Sequence, residues 1–449
     1  MIEGRKGVSE MKLQGSSHIN EQGRLEIGGV DTIALTKQYG TPVYAYDLAL
    51  IRERAAAFHE AFQEAEVSYQ IAYASKAFSC IAMVQLAQEL DLSLDVVSGG
   101  ELYTAKKAGF PMERVHMHGN NKSPEEIKMG VEYGVGCFVV DNFYELELLQ
   151  QEAQKLQKEV RILLRTTPGI EAHTHDYIST GQEDSKFGFD LASGQGAEAV
   201  NAAISMDHLH LLGVHCHIGS QIFETIGFVM AVEKLYESLR SWKESFGFVP
   251  EVVNVGGGFG IRYTEEDQPL HPGTYVDGLV QAIKEEAKAS GMPVPEVWIE
   301  PGRSLVGEAG TTLYTVGSSK DVPEVRRYIA VDGGMTDNIR PALYQAEYEG
   351  ILANRPNEEK SEQFSVAGKC CESGDMLIWD LPLPEVKSGD VLAVFSTGAY
   401  GYSMANNYNR ITRPPVIFLE NGEANVVVRG ETYDDIIMHD EPLYKTEKV

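Results

Sequence analysis

The stretch Val67-Ser68-Tyr69-Gln70-Ile71-Ala72-Tyr73-Ala74-Ser75-Lys76-Ala77 reads as a buried strand that ends in a lysine. Apolar residues dominate the run, and a polar turn closes it. The same unit recurs along the chain. Strand-like runs follow at 92–97, 114–118, 137–141, 161–165, 211–217, 252–255 and 296–300, the first being 68–74. Helix-like patterns lie between them, for example 81–90, 124–133, 144–156, 228–246 and 275–290. Their apolar residues return at helical spacing and their outer faces are charged. About eight strand–helix units predict a (β/α)8 barrel of the TIM type.

The C-terminal ends of barrel strands line the active site, whatever the chemistry. Here those ends carry Lys76, Ser98-Gly99-Gly100, Gly119-Asn120-Asn121, Asp141-Asn142, Arg165, His217, Gly256-Gly257-Gly258 and Glu300. Glycine and asparagine are common after any strand. That does not account for a lysine, an arginine, a histidine and a glutamate at equivalent positions. A lysine delivered into an enclosed site loses hydration, and its amine becomes neutral enough to form a Schiff base with a carbonyl. Taken alone, Lys76 reads more simply as a surface side chain at a strand end.

After residue 305 the helical rhythm fades. Strand signals dominate at 328–332, 364–367, 391–395, 416–419 and 424–429, the last two flanking the hairpin signal Asn421-Gly422. The opening segment, with 25–27 and 43–46, is β-like too. The expected organisation is a barrel over 47–305, with 1–46 and 306–449 forming a β-rich barrel or sandwich domain. Ile2-Glu3-Gly4-Arg5 resembles a protease recognition sequence, which makes Met11 the expected natural start.

The 449 residues include 66 acidic and 38 basic ones, a formal net charge of −28. Such a balance argues against a nucleic-acid surface and for a cytoplasmic protein, while leaving room for a locally basic ligand site. No apolar run is long enough to cross a bilayer. The five cysteines, Cys80, Cys137, Cys216, Cys370 and Cys371, lack zinc-site spacing and read as reduced thiols. The acidic stretches 263–267 and 358–362 read as solvated surface.

Gly256-Gly257-Gly258-Phe259-Gly260 directly follows a strand, and consecutive glycines let backbone N–H groups close around a phosphate. The G-x-G-x-x-G spacing of a dinucleotide site is absent, so a single phosphate fits better. Glu300-Pro301-Gly302-Arg303 allows two readings. One is a structural ion pair. The other is a carboxylate facing a heterocyclic nitrogen beside an arginine facing an anion, both of which pyridoxal phosphate offers. In His215-Cys216-His217-Ile218-Gly219-Ser220 the two histidines share a face. Two histidines without a third ligand make a weak metal site, so no metal is expected. His217 reads better as a flat group stacked on a ring, with Ser220 serving a phosphate.

These motifs, together with Asp95-Val96-Val97-Ser98-Gly99-Gly100-Glu101, His118-Gly119-Asn120-Asn121-Lys122-Ser123 and Cys371-Glu372-Ser373-Gly374-Asp375, resemble the diaminopimelate decarboxylases. These are pyridoxal-phosphate enzymes of the alanine-racemase-like fold. The likeness runs in order over about residues 20 to 445. Single motifs are shared with ornithine and arginine decarboxylases; the set is more specific. The resemblance implies that Lys76 forms the Schiff base and that His217 stacks on the ring. It places Gly256, Gly257, Gly258, Ser220, Gly302 and Arg303 at the cofactor and Glu300 at the pyridine nitrogen. Arg303, Arg340, Tyr344, Glu372 and Tyr400 would bind substrate, with Tyr400 also near the cofactor.

By the same resemblance, Cys371 is a proton donor that acts with Glu372 in the partner's site of a homodimer. The implied reaction converts meso-2,6-diaminopimelate to L-lysine and carbon dioxide, the last step of lysine biosynthesis. Arg340 can clamp the distal carboxylate and Glu372 can pair with the distal ammonium. Racemases of this fold carry arginine where Glu300 stands, which favours decarboxylation. Another basic amino-acid decarboxylase and an inactive partner-binding homologue stand as alternatives. His173-Thr174-His175-Asp176-Tyr177 and Gly181-Gln182-Glu183 read as a lid over the barrel mouth or as a disordered loop.

Overall fold

The computed structural model describes residues 13–170 and 185–444. The Ile2–Arg5 run, Met11 and the two lid motifs lie outside them. Parallel strands β1 (Tyr69–Ala74), β2 (Ser93–Val96), β3 (Val115–Met117) and β4 (Cys137–Val140) pair in sequence. Strands β5 (Val160–Thr167), β6 (Leu209–His215), β7 (Val252–Asn254) and β8 (Glu296–Ile299) continue the order. β8 pairs back onto β1, with Val297 opposite Tyr69, and the barrel closes. The expected TIM-type fold is therefore observed.

Period-two alternation fills the interior in layers. Cys137, Val139, Leu163, Leu212, Val252 and Trp298 form a separate buried cluster drawn only from barrel strands, which places it inside the barrel. Trp298 stacks on His116 with ring centroids 4.2 Å apart. Two residues further along the same strands stand Glu300 and His118, so the layer above this floor is polar. The main apolar core lies outside the barrel wall, where strand residues such as Ile71, Tyr73, Leu94 and Val96 meet the helices.

Local signals set the helix ends. Ser123 and Glu126 make a capping box ahead of Pro124–Tyr133, and Gly134 in the left-handed region ends that helix. Helix Leu48–Glu64, capped by Asp47, packs against Pro272–Ala289. It occupies the eighth helical position, because beyond β8 the chain makes only Arg303–Val306 before leaving the barrel.

In the β-rich unit the long strand Gly310–Val322 pairs with Arg326–Val331, Val391–Val394 and Val43–Asp47. Val43–Asp47 also pairs with Val416–Glu420, so the opening segment is woven into the C-terminal sheet as expected. Val416–Glu420 and Glu423–Val428 form a hairpin whose turn, Asn421-Gly422, has φ +53° and +81°. Those values fit the two-residue turn that Asn-Gly predicts. A loop of this unit rests on the lysine turn, since Tyr400 N and Ser403 Oγ both donate to Ala77 O, at 2.8 and 3.0 Å. Among the described residues, no helix is long and apolar enough to cross a membrane.

Candidate active site

The strand ends converge on a cavity of about 450 Å³ at the C-terminal mouth of the barrel. Lys76, His118, Asn120, Arg165, His217, Gly257 and Glu300 line it, joined by Asp95 and His215. Ser98-Gly99-Gly100 and Asp141-Asn142 serve the scaffold instead. Ser98 Oγ and Asn142 Oδ1 accept from the third backbone N–H of the helices that follow. Lys122 is buried and reaches Glu145 at 2.6 Å, with Gly119 O and Val139 O each at 2.9 Å. This pair fixes the loop that presents Asn120.

Lys76 stands on the single turn Ser75–Ala77 after β1. Its side chain is exposed to the cavity, and it makes no hydrogen bond or ion pair among the described residues. The enclosure expected around it is thus not supplied by the described part of one chain. An accessible amine with no competing partner is what a carbonyl group needs to meet.

Glu300 is buried at the cavity floor. Its Oε1 accepts from Asn254 Nδ2 at 2.7 Å, and its Oε2 lies 3.1 Å from His215 Nε2. His118 Nε2 makes an ion-pair contact with Oε1 at 2.9 Å and lies 3.7 Å from Asp95. Burial works to raise the Glu300 pKa, but His118 and His215 outweigh it and hold the carboxyl well below its ordinary 4.5. Burial raises the Asp95 pKa, while the two carboxylates keep that of His118 raised despite its own burial. Glu300 is therefore held ionised although it is buried. His118, His215 and Glu300 have the donor types of a metal site. His118 meets Glu300 as an ion pair, whereas burial lowers the His215 pKa to about 4, so His215 meets the carboxylate through a hydrogen bond.

His217 is half-buried, and its Nδ1 accepts from Gly257 N at 3.4 Å. Burial, reinforced by Lys76 and Arg165, holds its pKa well below 6.5. The imidazole is neutral and flat, as stacking on a ring requires.

The glycine run owes its composition to close approach. A Cβ at Gly257 would lie 2.1 Å from Glu300 O, and one at Gly258 2.3 Å from Gly219 O. Gly256 and Gly258 also adopt φ of +71° and +108°. Among the described residues, the backbone N–H groups of Gly258 and Gly302 have no acceptor. Ser220 Oγ stands beside this cradle and accepts from Arg303 Nη2 at 3.0 Å. Open N–H groups beside a hydroxyl together suit a phosphate. Replacing Gly257 with alanine should raise the pyridoxal phosphate concentration needed for half-reconstitution by about 100-fold, read from cofactor absorbance, because the added methyl must displace backbone.

Arg303 and Arg340 pair with no carboxylate among the described residues, although the chain is strongly acidic. Tyrosines hold them instead. Arg303 Nη1 donates to Tyr263 OH, and Arg340 Nη1 donates to Tyr348 OH at 2.7 Å. The Arg303 guanidinium lies 4.8 Å from the Tyr400 ring centre, and that of Arg340 lies 5.0 Å from the Tyr263 ring centre. Arg303 Nε is buried without a hydrogen-bond partner among the described residues. Two desolvated cations sharing aromatic neighbours form a site for an anion.

This arrangement corrects the reading of 263–267 as solvated surface. Tyr263 is buried, and Asp267 accepts from the backbone of Tyr263 and Thr264. Only Glu265 and Glu266 are exposed there.

The remaining candidates stand apart from the cavity. Tyr344 is 60% exposed. Cys371 and Glu372 are exposed on a loop of the β-rich unit, where Cys371 N donates to Asn409 Oδ1 at 2.8 Å. Tyr263, Tyr348 and Asn254 were not expected in the site, and no role was expected for Asp95 or His118. For Asn254 and Asp95 the available signal was strand alternation leading into a glycine or serine turn.

The sequence matches the family model for the pyridoxal-dependent decarboxylase, pyridoxal binding domain, over residues 48–307. It is 66% identical to the diaminopimelate decarboxylase of Halalkalibacterium halodurans, over 98% of this chain and 100% of that one. Identity to the Bacillus subtilis diaminopimelate decarboxylase is 64%, covering 96% and 99%. The fold superposes on the crystal structure of diaminopimelate decarboxylase from M. jannaschi with a TM-score of 0.89 at 37% identity, covering 95% and 98%. The Helicobacter pylori diaminopimelate decarboxylase complexed with L-lysine gives 0.82 at 31% identity, covering 91% and 98%.

Proposed function

The chain belongs to the diaminopimelate decarboxylases, enzymes that depend on pyridoxal phosphate, and from that premise we propose how its residues divide the work. The observation that carries the proposal is the pair Arg303 and Arg340, two cations without acid partners among the described residues that share the Tyr263 and Tyr400 rings, in a chain whose barrel mouth holds Lys76 and an ionised Glu300. The cofactor, when bound, supplies a reactive carbonyl and a ring that takes up the electron pair left when carbon dioxide departs.

Lys76 presents its amine to the carbonyl. Gly256, Gly257, Gly258, Ser220, Gly302 and the Arg303 backbone hold the phosphate. His217 covers the ring face, and Tyr400 borders it. Glu300, kept ionised by its histidines, holds a proton on the ring nitrogen. The Arg303 and Arg340 guanidiniums take the distal carboxylate of meso-2,6-diaminopimelate, with Tyr344 and Tyr400 beside them. A substrate without that carboxylate leaves two desolvated cations unsatisfied, a source of selectivity against ornithine or arginine.

Cys371, Glu372 and Tyr344 lie exposed and outside their own chain's cavity. This supports a homodimer in which Cys371 and Glu372 complete the partner's site. There Glu372 meets the distal ammonium, and Cys371 returns a proton to the carbon that lost its carboxylate. Within the chain, the barrel unit runs over 47–305, and 1–46 with 306–449 form the second unit.

A Cys371→Ala enzyme should keep its cofactor absorbance and lose about 10²-fold in kcat. In deuterium oxide its lysine should carry deuterium in both configurations at the reacting carbon, against one in the wild type. The reading as a whole is tested by carbon dioxide release from a panel of amino acids with added pyridoxal phosphate. Release from diaminopimelate, and none from ornithine or arginine, is expected. Release from ornithine alone would contradict it.

A further inference from the structure

We propose that Asp375 is a positioning residue that fixes the Cys371–Glu372 loop and pins it to the loop leading to Arg340. The inference rests on the roles proposed above for Cys371, Glu372 and Arg340.

Asp375 is 3% exposed and makes no ion pair with any described cation. Its charge is met by backbone dipoles from two separate segments. Oδ1 accepts from Met335 N at 2.6 Å, and Oδ2 accepts from Cys370 N at 2.7 Å. Its own backbone closes the loop, because Gly368 N donates to Asp375 O at 2.9 Å and Asp375 N donates to Glu372 O at 3.2 Å. A further rung, from Lys369 N to Gly333 O at 2.9 Å, joins the same two segments.

The composition of both segments fits this role. A Cβ at Gly334 would stand 2.5 Å from the Asp375 carboxylate, and one at Gly368 would stand 2.2 Å from both its oxygens. Glycine at these two positions is what lets the carboxylate reach its donors. Arg340 follows Met335 by one short turn. Cys371 and Glu372 follow Cys370 directly.

The adjacent cysteines part company here. Burial, with Asp375 adding to it, pushes the Cys370 thiol up to about 12, while Cys371 is exposed. Asp375 holds the root of the loop, and the Asn409 side chain holds the Cys371 backbone. The pin therefore sets the distance between the clamp of one active site and the proton donor offered to the other.

The test uses Asp375→Asn in the reconstituted holoenzyme. The amide keeps the shape but turns an NH2 toward one of the two N–H donors. We expect amide hydrogen exchange at Met335 and Cys370 to quicken by at least about tenfold. The KM for diaminopimelate should rise about tenfold, and deuterium at the reacting carbon should become stereochemically mixed, with cofactor absorbance retained. Gly368→Ala, which displaces the carboxylate without removing its charge, should reproduce all of these.

Unchanged KM and unmixed deuterium in Asp375→Asn would overturn the proposal. So would cofactor absorbance lost together with cooperative unfolding in both variants, the mark of a merely structural residue. A Cys371→Ala enzyme that still delivers deuterium in one configuration overturns the reading of Cys371 itself. Exchange at Met335 and Cys370 then judges the pin alone.

Discussion

Replacing Lys76 with alanine should abolish the visible absorbance of bound cofactor and lower decarboxylation by at least about 10³-fold, as losing a member of a catalytic unit does. The loss will not trace to misfolding. Lys76 is exposed, occupies a single turn, and holds no hydrogen bond or ion pair among the described residues. A substitution of that kind changes stability by no more than about 0.5 kcal/mol. The variant should therefore unfold at the wild-type temperature without cofactor, and its phosphate cradle should still bind inorganic phosphate. Absorbance and activity together separate this outcome from a lysine that merely steers substrate, whose removal would raise KM and leave the absorbance intact.

Glu300→Gln should produce the second largest effect. The carboxylate is surrounded by Asn254, His118 and His215, which keep it ionised in a buried place. A neutral amide cannot hold a proton on the ring nitrogen. We expect kcat to fall about 10²–10³-fold, the usual cost of removing one preorganised electrostatic contact. KM should move little, because the distal carboxylate is held elsewhere.

The variant should also differ in acid. Folding lowers the Glu300 pKa from its ordinary 4.5, so this group's contribution to stability is complete above that value and is lost as pH falls below it. Glu300→Gln removes that dependence. Its unfolding temperature should fall less steeply than the wild type's below about pH 4.5.

The parts of this account that were legible in the sequence are those set by local physics. Strand ends, the Asn421-Gly422 hairpin and the capped helix at 124–133 follow from neighbours in the chain. The helix Gly99–Ala108 carries a weak signal, because it opens on two glycines, which ordinarily mark turns. Gln195–Ile204 begins after Gly194 with no side-chain cap. The strand Gly310–Val322 was missed because its second half, Ser318 to Asp321, is exposed and polar.

Long-range side-chain contacts were not legible. Nothing near Tyr263 or Tyr348 signals that their hydroxyls receive arginines, one from forty residues away. His118 was visible as a motif residue, yet its contact with Glu300 joins the third and eighth strands. Lys76 was expected in an enclosed site, and the described residues of one chain leave it exposed. Cys371 and Glu372, expected to complete that site, are exposed and do not line the cavity that Lys76 faces.

The most direct test of the central claim, an active site built from two subunits, is to mix Lys76→Ala and Cys371→Ala chains under conditions of subunit exchange. Each parent is impaired at both of its sites. In a mixed dimer one barrel regains an intact lysine and an intact donor from its partner. Half of the dimers are mixed and half of their sites are whole, so the account predicts recovery of about a quarter of wild-type kcat. Activity no greater than the sum of the separate parents would contradict it.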